Sequence, residues 1–236
     1  RIFPWNHANC GDLNLSGERR PQSYLRETLW SDAPVSHIVV TPPVPSFPLN
    51  PDKADWSVWD FPDVVDHWNF PGYEGKKMTV SVYSNCEQVE LFLNGESLGK
   101  QENTADKKNT LVWEVPYAHG ILKAVSYNKG GEVGTATLES AGKVEKIRLS
   151  ADRTEIVADG NDLSYITLEL VDSKGIRNQL AEELVEFSIE GDATIEGVGN
   201  ANPMSIESFV ANSRKTWRGS NLLVVRSGKS SGRIIV

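Results

Sequence analysis

Residues 77–98, KMTVSVYSNCEQVELFLNGESL, read as two β-strands and the start of a third. Met78, Val80 and Val82 share one face, and so do Val89, Leu91 and Leu93. Successive strand side chains point to opposite sides, so this period of two marks half-buried strands. Asn94-Gly95 between Leu93 and Leu98 is a two-residue hairpin, because both residue types tolerate the left-handed backbone of a tight turn. Moving outward, Leu111, Trp113 and Val115 repeat the alternation, and Asn128-Lys129-Gly130-Gly131 turns the chain before Val133 to Leu138. Short strands with turns between them predict an antiparallel sandwich of the immunoglobulin or fibronectin type.

From about Gly142 the pattern begins again. Val144, Ile147 and Leu149, then Leu163 to Val171, Val185 with Phe187 and Ile189, Leu222 to Val225, and Ile234 to Val236 read as strands, with a turn at Asp172-Ser173-Lys174-Gly175. A second sandwich of about ninety residues follows. On the N-terminal side, TPPVPSFPLNP places five prolines between Pro42 and Pro51, an extended connector whose Val44, Phe47 and Leu49 lie against protein. Before it, Pro21 suits a first helical turn, and Tyr24, Leu25, Thr28 and Leu29 recur at helical spacing. Residues 1–30 are therefore a strand, a loop and a helix joined to a chain that is otherwise β. The expected pieces are 1–34, 35–142 with the connector at 41–51, and 143–236. The helix is expected to dock on the sandwich that follows, with Tyr24, Leu29 and Trp30 as anchors.

The chain has 236 residues, 39% of them hydrophobic, and a net charge of -8. That is enough apolar material for two cores. Nucleic-acid binding is not expected, since it needs clustered Lys and Arg to displace phosphate counterions. No apolar run approaches the eighteen or so residues of a membrane helix. Cys10 and Cys86 are too few for a disulfide framework and wrongly spaced for zinc, so two free thiols are expected. Arg1 is not preceded by an initiator Met, and the strand begins at once, so the chain reads as part of something longer.

Chemical motifs are sparse. A glycosidase needs two carboxylates across a cleft. Glu182, Glu183 and Glu186 surround a strand start, whereas Asp159, Asp162 and Asp172 lie in turns, and none is assigned a catalytic role. His7, His37, His67 and His119 show no metal spacing, and no nucleophile elbow is present. Asp12-Leu13-Asn14-Leu15-Ser16-Gly17 imitates the opening of a calcium loop, but Ser23 stands where the closing Glu belongs, so a turn is expected. Asn14-Leu15-Ser16 is a chance-level glycosylation sequon. Gly197-Val198-Gly199 and Asn200-Ala201-Asn202 are read as tight turns using positive φ. No metal and no cofactor is expected. Trp56, Trp59, Trp68, Phe70 and Tyr73, with Asp60, Asp63 and Asp66 among them, form an aromatic patch that could stack sugar rings, although packing is the more ordinary role of such residues. That patch motivates an alternative function, a stand-alone carbohydrate-binding or adhesive module.

The stretches NCGDLNLSGERRPQSYLRETLW and HWNFPGYEGKKMTVSVYSNCEQVELFLNGESLGK resemble the C-terminal half of family 2 glycoside hydrolases of the β-galactosidase type. GVGNANPMSIESFVANSRKTWRGSNLLVVRSG is similar to the immunoglobulin-like domain that ends many of them. The resemblance implies a mainly β chain, two immunoglobulin-like sandwiches preceded by the last strand-loop-helix of a (β/α)8 barrel, whose loop from Trp5 to Asp12 lies at the active-site face. It further implies that Trp5, Asn9 and Asp12 line the sugar subsite. The two catalytic glutamates would belong to earlier barrel strands, and neither Glu18 nor Glu27 matches them, so this chain alone would be inactive. Implied partners are the N-terminal sandwich and barrel domains of the same polypeptide, with an oligosaccharide as the intact enzyme's substrate. The implied location is periplasmic or secreted, in a bacterium.

Overall fold

A computed structural model of the chain describes residues 3–6, 11–47 and 62–236. Asn9, Cys10, Trp56 and Trp59 lie outside these residues. Two units are present, one of residues 19–140 with 11–13, the other of 141–236 with 3–6 and 14–18.

In the first unit, β1 (Ser36–Val40), β2 (Lys77–Ser84) and β5 (Thr110–Pro116) form a sheet in the order β1-β2-β5. β3 (Gln88–Leu93), β4 (Glu96–Glu102), β6 (Ile121–Asn128) and β7 (Gly131–Glu139) form a second in the order β4-β3-β6-β7. All neighbours are antiparallel. The alternating residues Met78, Val80, Val82, Val89, Leu91, Leu111 and Val115 fill the space between the sheets and are buried. Asn94 and Gly95 have φ of 51° and 87°, and Lys129 and Gly130 have 51° and 79°, so both hairpins turn through left-handed pairs. Asn94 then braces its own turn, accepting from the Ile121 N–H at 2.8 Å and donating to the His119 carbonyl at 3.2 Å. This close approach demands Gly120, where an added Cβ would sit 1.9 Å from Asn94 Oδ1.

Helix α1 (Ser23–Trp30) docks on this sandwich. Tyr24 and Leu25 pack against Val39, Val64 and Tyr83, and Asn109 Nδ2 donates to Thr28 Oγ1 at 3.0 Å. Leu29 and Trp30 are not anchors, being 66% and 84% exposed. The inner face runs along Tyr24, Leu25 and Thr28, and each further residue turns about 100° around the axis, which carries Leu29 off it.

In the second unit, β8 (Lys146–Ala151), β9 (Leu163–Val171), β11 (Ala193–Gly199) and β13 (Ser220–Ser227) form a sheet in the order β11-β13-β9-β8. β10 (Leu184–Glu186) and β12 (Ser213–Lys215) form a two-stranded sheet. Leu168, Leu170, Val185, Phe187, Val198, Leu223 and Val225 are core. Gly197 and Gly199 are strand residues of β11, not positive-φ turn residues. Residue 209 crosses over this strand: the Phe209 carbonyl accepts from the Val198 N–H at 2.8 Å, and a Cβ on Gly197 would meet that oxygen at 3.2 Å, a tight approach that favours glycine there. Asp172 organises the turn after β9. It accepts from the N–H groups of Gly142, Lys174 and Ile176 at 2.8 to 2.9 Å, and the Gly142 bond foremost holds its carboxyl below the usual range.

Candidate functional site

Of the residues expected to bind sugar, Asn9 lies outside the described residues and the other two are described in different units. Trp5 is half-buried in the second unit, whereas Asp12 belongs to the first and is ion-paired with Arg26 of α1. Its backbone carbonyl also accepts from the Arg20 N–H at 2.8 Å, so Asp12 ties the start of the helix. Glu18 and Glu27 are likewise held by cations, Arg177 at 2.9 Å and Arg19 at 2.6 Å. The imitation calcium loop is a turn in which Asn14 Oδ1 accepts from the N–H groups of Ser16 and Glu18 at 2.9 and 3.0 Å.

The described part of the aromatic patch is core. Trp68 is fully buried and donates from Nε1 to the Ala118 carbonyl at 2.8 Å, so it presents no stacking face. Phe70 and Tyr117 meet it edge-to-face, with ring centroids 5.0 to 5.9 Å apart across the trio, and the Tyr117 hydroxyl accepts from the Phe70 N–H at 3.1 Å. Tyr73 is partly buried against the same core with the Lys76 ammonium 4.7 Å from its ring centroid.

Sequence patterns missed a better candidate in the second unit, the segment 200–212. Asn6, next to Trp5, donates from its backbone N–H to the Pro203 carbonyl at 2.8 Å and from Nδ2 to the Ser205 carbonyl at 3.1 Å. Arg214, with no exposed side-chain surface, holds the segment from beneath. Its Nη1 donates to the Val198 and Ser208 carbonyls at 3.1 and 3.4 Å, its Nη2 to Ser205 Oγ at 3.0 Å, and its guanidinium lies 4.3 Å from the Phe209 ring centroid. Burial lowers the Arg214 pKa from its usual value, opposed by Glu207 nearby. So anchored, the segment exposes Ile206, Phe209 and Val210. The RK pair before Trp217 was the available signal, and nothing in its spacing shows that the Arg is buried. Such a surface can shape a binding site but brings no pair of carboxylates to a reacting atom. No group of three His, Cys, Asp or Glu able to hold a metal exists among the described residues.

One pocket lies on the outer face of the first sandwich. It measures about 460 Å³ and is lined by Phe92, Asn94, Gly95, Ile121, Lys123 and Val125. Phe92 offers a ring, Lys123 a cation and Asn94 an amide beside the apolar Ile121 and Val125.

Comparison with known proteins identifies the class. Residues 147–236 match the family described as glycoside hydrolase family 2 C-terminal domain 5, and residues 75–134 match a domain of unknown function, DUF4982. The chain belongs to glycoside hydrolase family 2. It is similar to a crystal structure of a family 2 member from Bacteroides cellulosilyticus, at 95% identity and a TM-score of 0.92, covering 97% of this chain and 30% of that one. It is also 31% identical to a β-galactosidase of Bacteroides ovatus over 98% of this chain and 24% of the relative, and 30% identical to a β-glucuronidase of Formosa agariphila over 78% and 19%. The chain thus spans about a quarter or less of these curated relatives, and the mainly β, immunoglobulin-like architecture is the family's. Among the described residues no helix is long and apolar enough to cross a membrane.

Proposed function

We propose that this chain is the non-catalytic C-terminal portion of a retaining exo-glycosidase, a β-galactosidase acting on terminal β-galactosides in carbohydrate breakdown. The similarity to the Bacteroides ovatus β-galactosidase along nearly the whole chain carries this reading. In it the sandwiches brace the N-terminal sandwich and barrel domains and form part of the cleft rim, with Trp5, Asn9 and Asp12 toward the sugar. Asn6, bonded to Pro203 and Ser205, supports a rim contribution from the segment 200–212. The enzyme would work in the periplasm or outside the cell, on an oligosaccharide, with one glutamate of the barrel as nucleophile and another as acid/base. Comparing kcat/KM for aryl β-galactoside and aryl β-glucuronide in the full-length enzyme tests the specificity. Preference for the galactoside is expected, and preference for the glucuronide overturns it.

A carbohydrate-binding role for the first sandwich is the second reading. Its support is the pocket at Phe92 and Lys123, not Trp68. Calorimetric titration of the chain with galacto-oligosaccharides should then show binding that Phe92→Ala abolishes. Absence of heat with every glycan rules it out.

A further inference from the structure

The outer face of the first sandwich leaves one cation without a partner. On β3 and β6 the residues Leu91, Leu122 and Ala124 point into the core, so Phe92 and Lys123, with their alternating neighbours Glu90 and Val125, stand on the opposite face. Directly paired residues of antiparallel strands share a face, which sets two rows across the sheet. One row runs Ser97, Phe92, Lys123 and Thr137, and the next runs Lys100, Glu90, Val125 and Thr135.

In the second row both charges are engaged. Glu90 accepts from Ser97 Oγ at 2.6 Å and from the Tyr127 hydroxyl at 3.4 Å, while the Lys100 ammonium lies 3.9 Å from the same carboxylate and 3.6 Å from the Tyr127 ring centroid. Lys123 differs: among the described residues it forms no ion pair, Glu139 across from Ile121 included. It borders the pocket of about 460 Å³ together with Phe92, a volume within the range of small-ligand sites, about 300–1,000 Å³. The pocket is also preformed. Val125 is 5% exposed although it lies on the outer face, and Asn94, bonded to Ile121 and His119, stiffens the hairpin at one end. A preformed site lowers the ordering cost of binding.

The lining selects the ligand. Phe92, Ile121 and Val125 suit the apolar face of a ring, the exposed Thr137 beside Lys123 offers a hydroxyl, and the unpaired ammonium calls for an anion. Saccharides are the molecules that a chain of a glycoside hydrolase family meets. We propose that this pocket binds an acidic sugar unit, one bearing a carboxylate or a sulfate, with its ring on Phe92 and its anion on Lys123. The proposal rests on the carbohydrate-binding reading of the first sandwich and adds the class of glycan.

Calorimetric titration of the chain with trigalacturonate, a sulfated galactotriose and neutral galactotriose tests it, with decanoate as an anion that has no sugar ring. At least one acidic trisaccharide is expected to bind about fivefold more tightly than the neutral one. Which of the two binds more tightly assigns the anion as carboxylate or sulfate. The preference should vanish in Lys123→Gln and in about 0.5 M sodium chloride, and persist in Lys129→Gln, which makes the same charge change outside the pocket. Equal affinity for all three glycans, or a preference that survives Lys123→Gln, overturns the proposal and leaves the carbohydrate-binding reading standing. Tighter binding of decanoate than of either acidic sugar overturns the class of ligand. Absence of binding by every glycan removes the proposal and that reading together.

Discussion

His37 on β1 makes the docking of α1 sensitive to acid. The Tyr24 ring stacks on its imidazole with centroids 3.5 Å apart and planes 12° apart, and the Arg19 guanidinium lies 3.9 Å from the Tyr24 centroid. His37 Nε2 is buried without a hydrogen-bond partner. Burial lowers the pKa from 6.5 to about 4; Asp66 and Glu27 oppose the shift, while Arg19 adds to it. The neutral ring is therefore the folded form. Above pH 6.5 neither folded nor unfolded state carries the proton, and docking is at full strength. As pH falls from 6.5 toward 4, the unfolded state takes up a proton that the folded state refuses, so stability is lost. The interval from 6.5 to about 4, at about 1.36 kcal/mol per pH unit, amounts to about 3 kcal/mol. Urea unfolding of the first unit, followed by the fluorescence of buried Trp68 and Trp113, measures it in the native chain and in His37→Phe. The variant keeps a ring for Tyr24 and removes the titration. The difference between the two should grow by about 3 kcal/mol from pH 7 to pH 4, because carboxylates common to both cancel. Parallel curves across that range refute the reasoning.

Asp172→Ala should cost about 2–3 kcal/mol by leaving three N–H groups without their acceptor. Because the Asp172 carboxyl is held below the usual range, its contribution is present above the unfolded carboxylate pKa and is lost as pH falls through its lowered value; Asp172→Asn should flatten that part of the acid-unfolding curve. Gly120→Ala should lower stability by about 2–4 kcal/mol, read as a drop in Tm, since φ of 142° and the Asn94 contact both oppose a Cβ. Arg214→Leu should cost about 3 kcal/mol by stripping partners from the Val198 and Ser208 carbonyls, and should speed amide exchange at Val198.

The parts of this fold that a linear pattern can carry were open to reading. The alternation Met78-Val80-Val82 against Val89-Leu91 and the Asn94-Gly95 turn depend on neighbours in sequence, and the sandwich follows from them. What escaped depends on distant residues. Gly197 lies in a strand under the Phe209 carbonyl, which no local rule distinguishes from a turn. Trp68 has the composition of a sugar platform, but the Ala118 carbonyl fifty residues away receives its N–H. Arg214 stands beside Lys215 with nothing local to mark it, and its burial comes from the segment 200–212 closing over it. Leu29 fits the helical spacing, yet the face is set by Asn109 holding Thr28.

Hydrolysis of an aryl β-galactoside by the purified 236-residue chain, beside the full-length enzyme, tests the central reading most directly. No turnover by the chain above buffer, with saturable turnover by the full-length enzyme, is the predicted result. Saturable hydrolysis by the chain itself would contradict it.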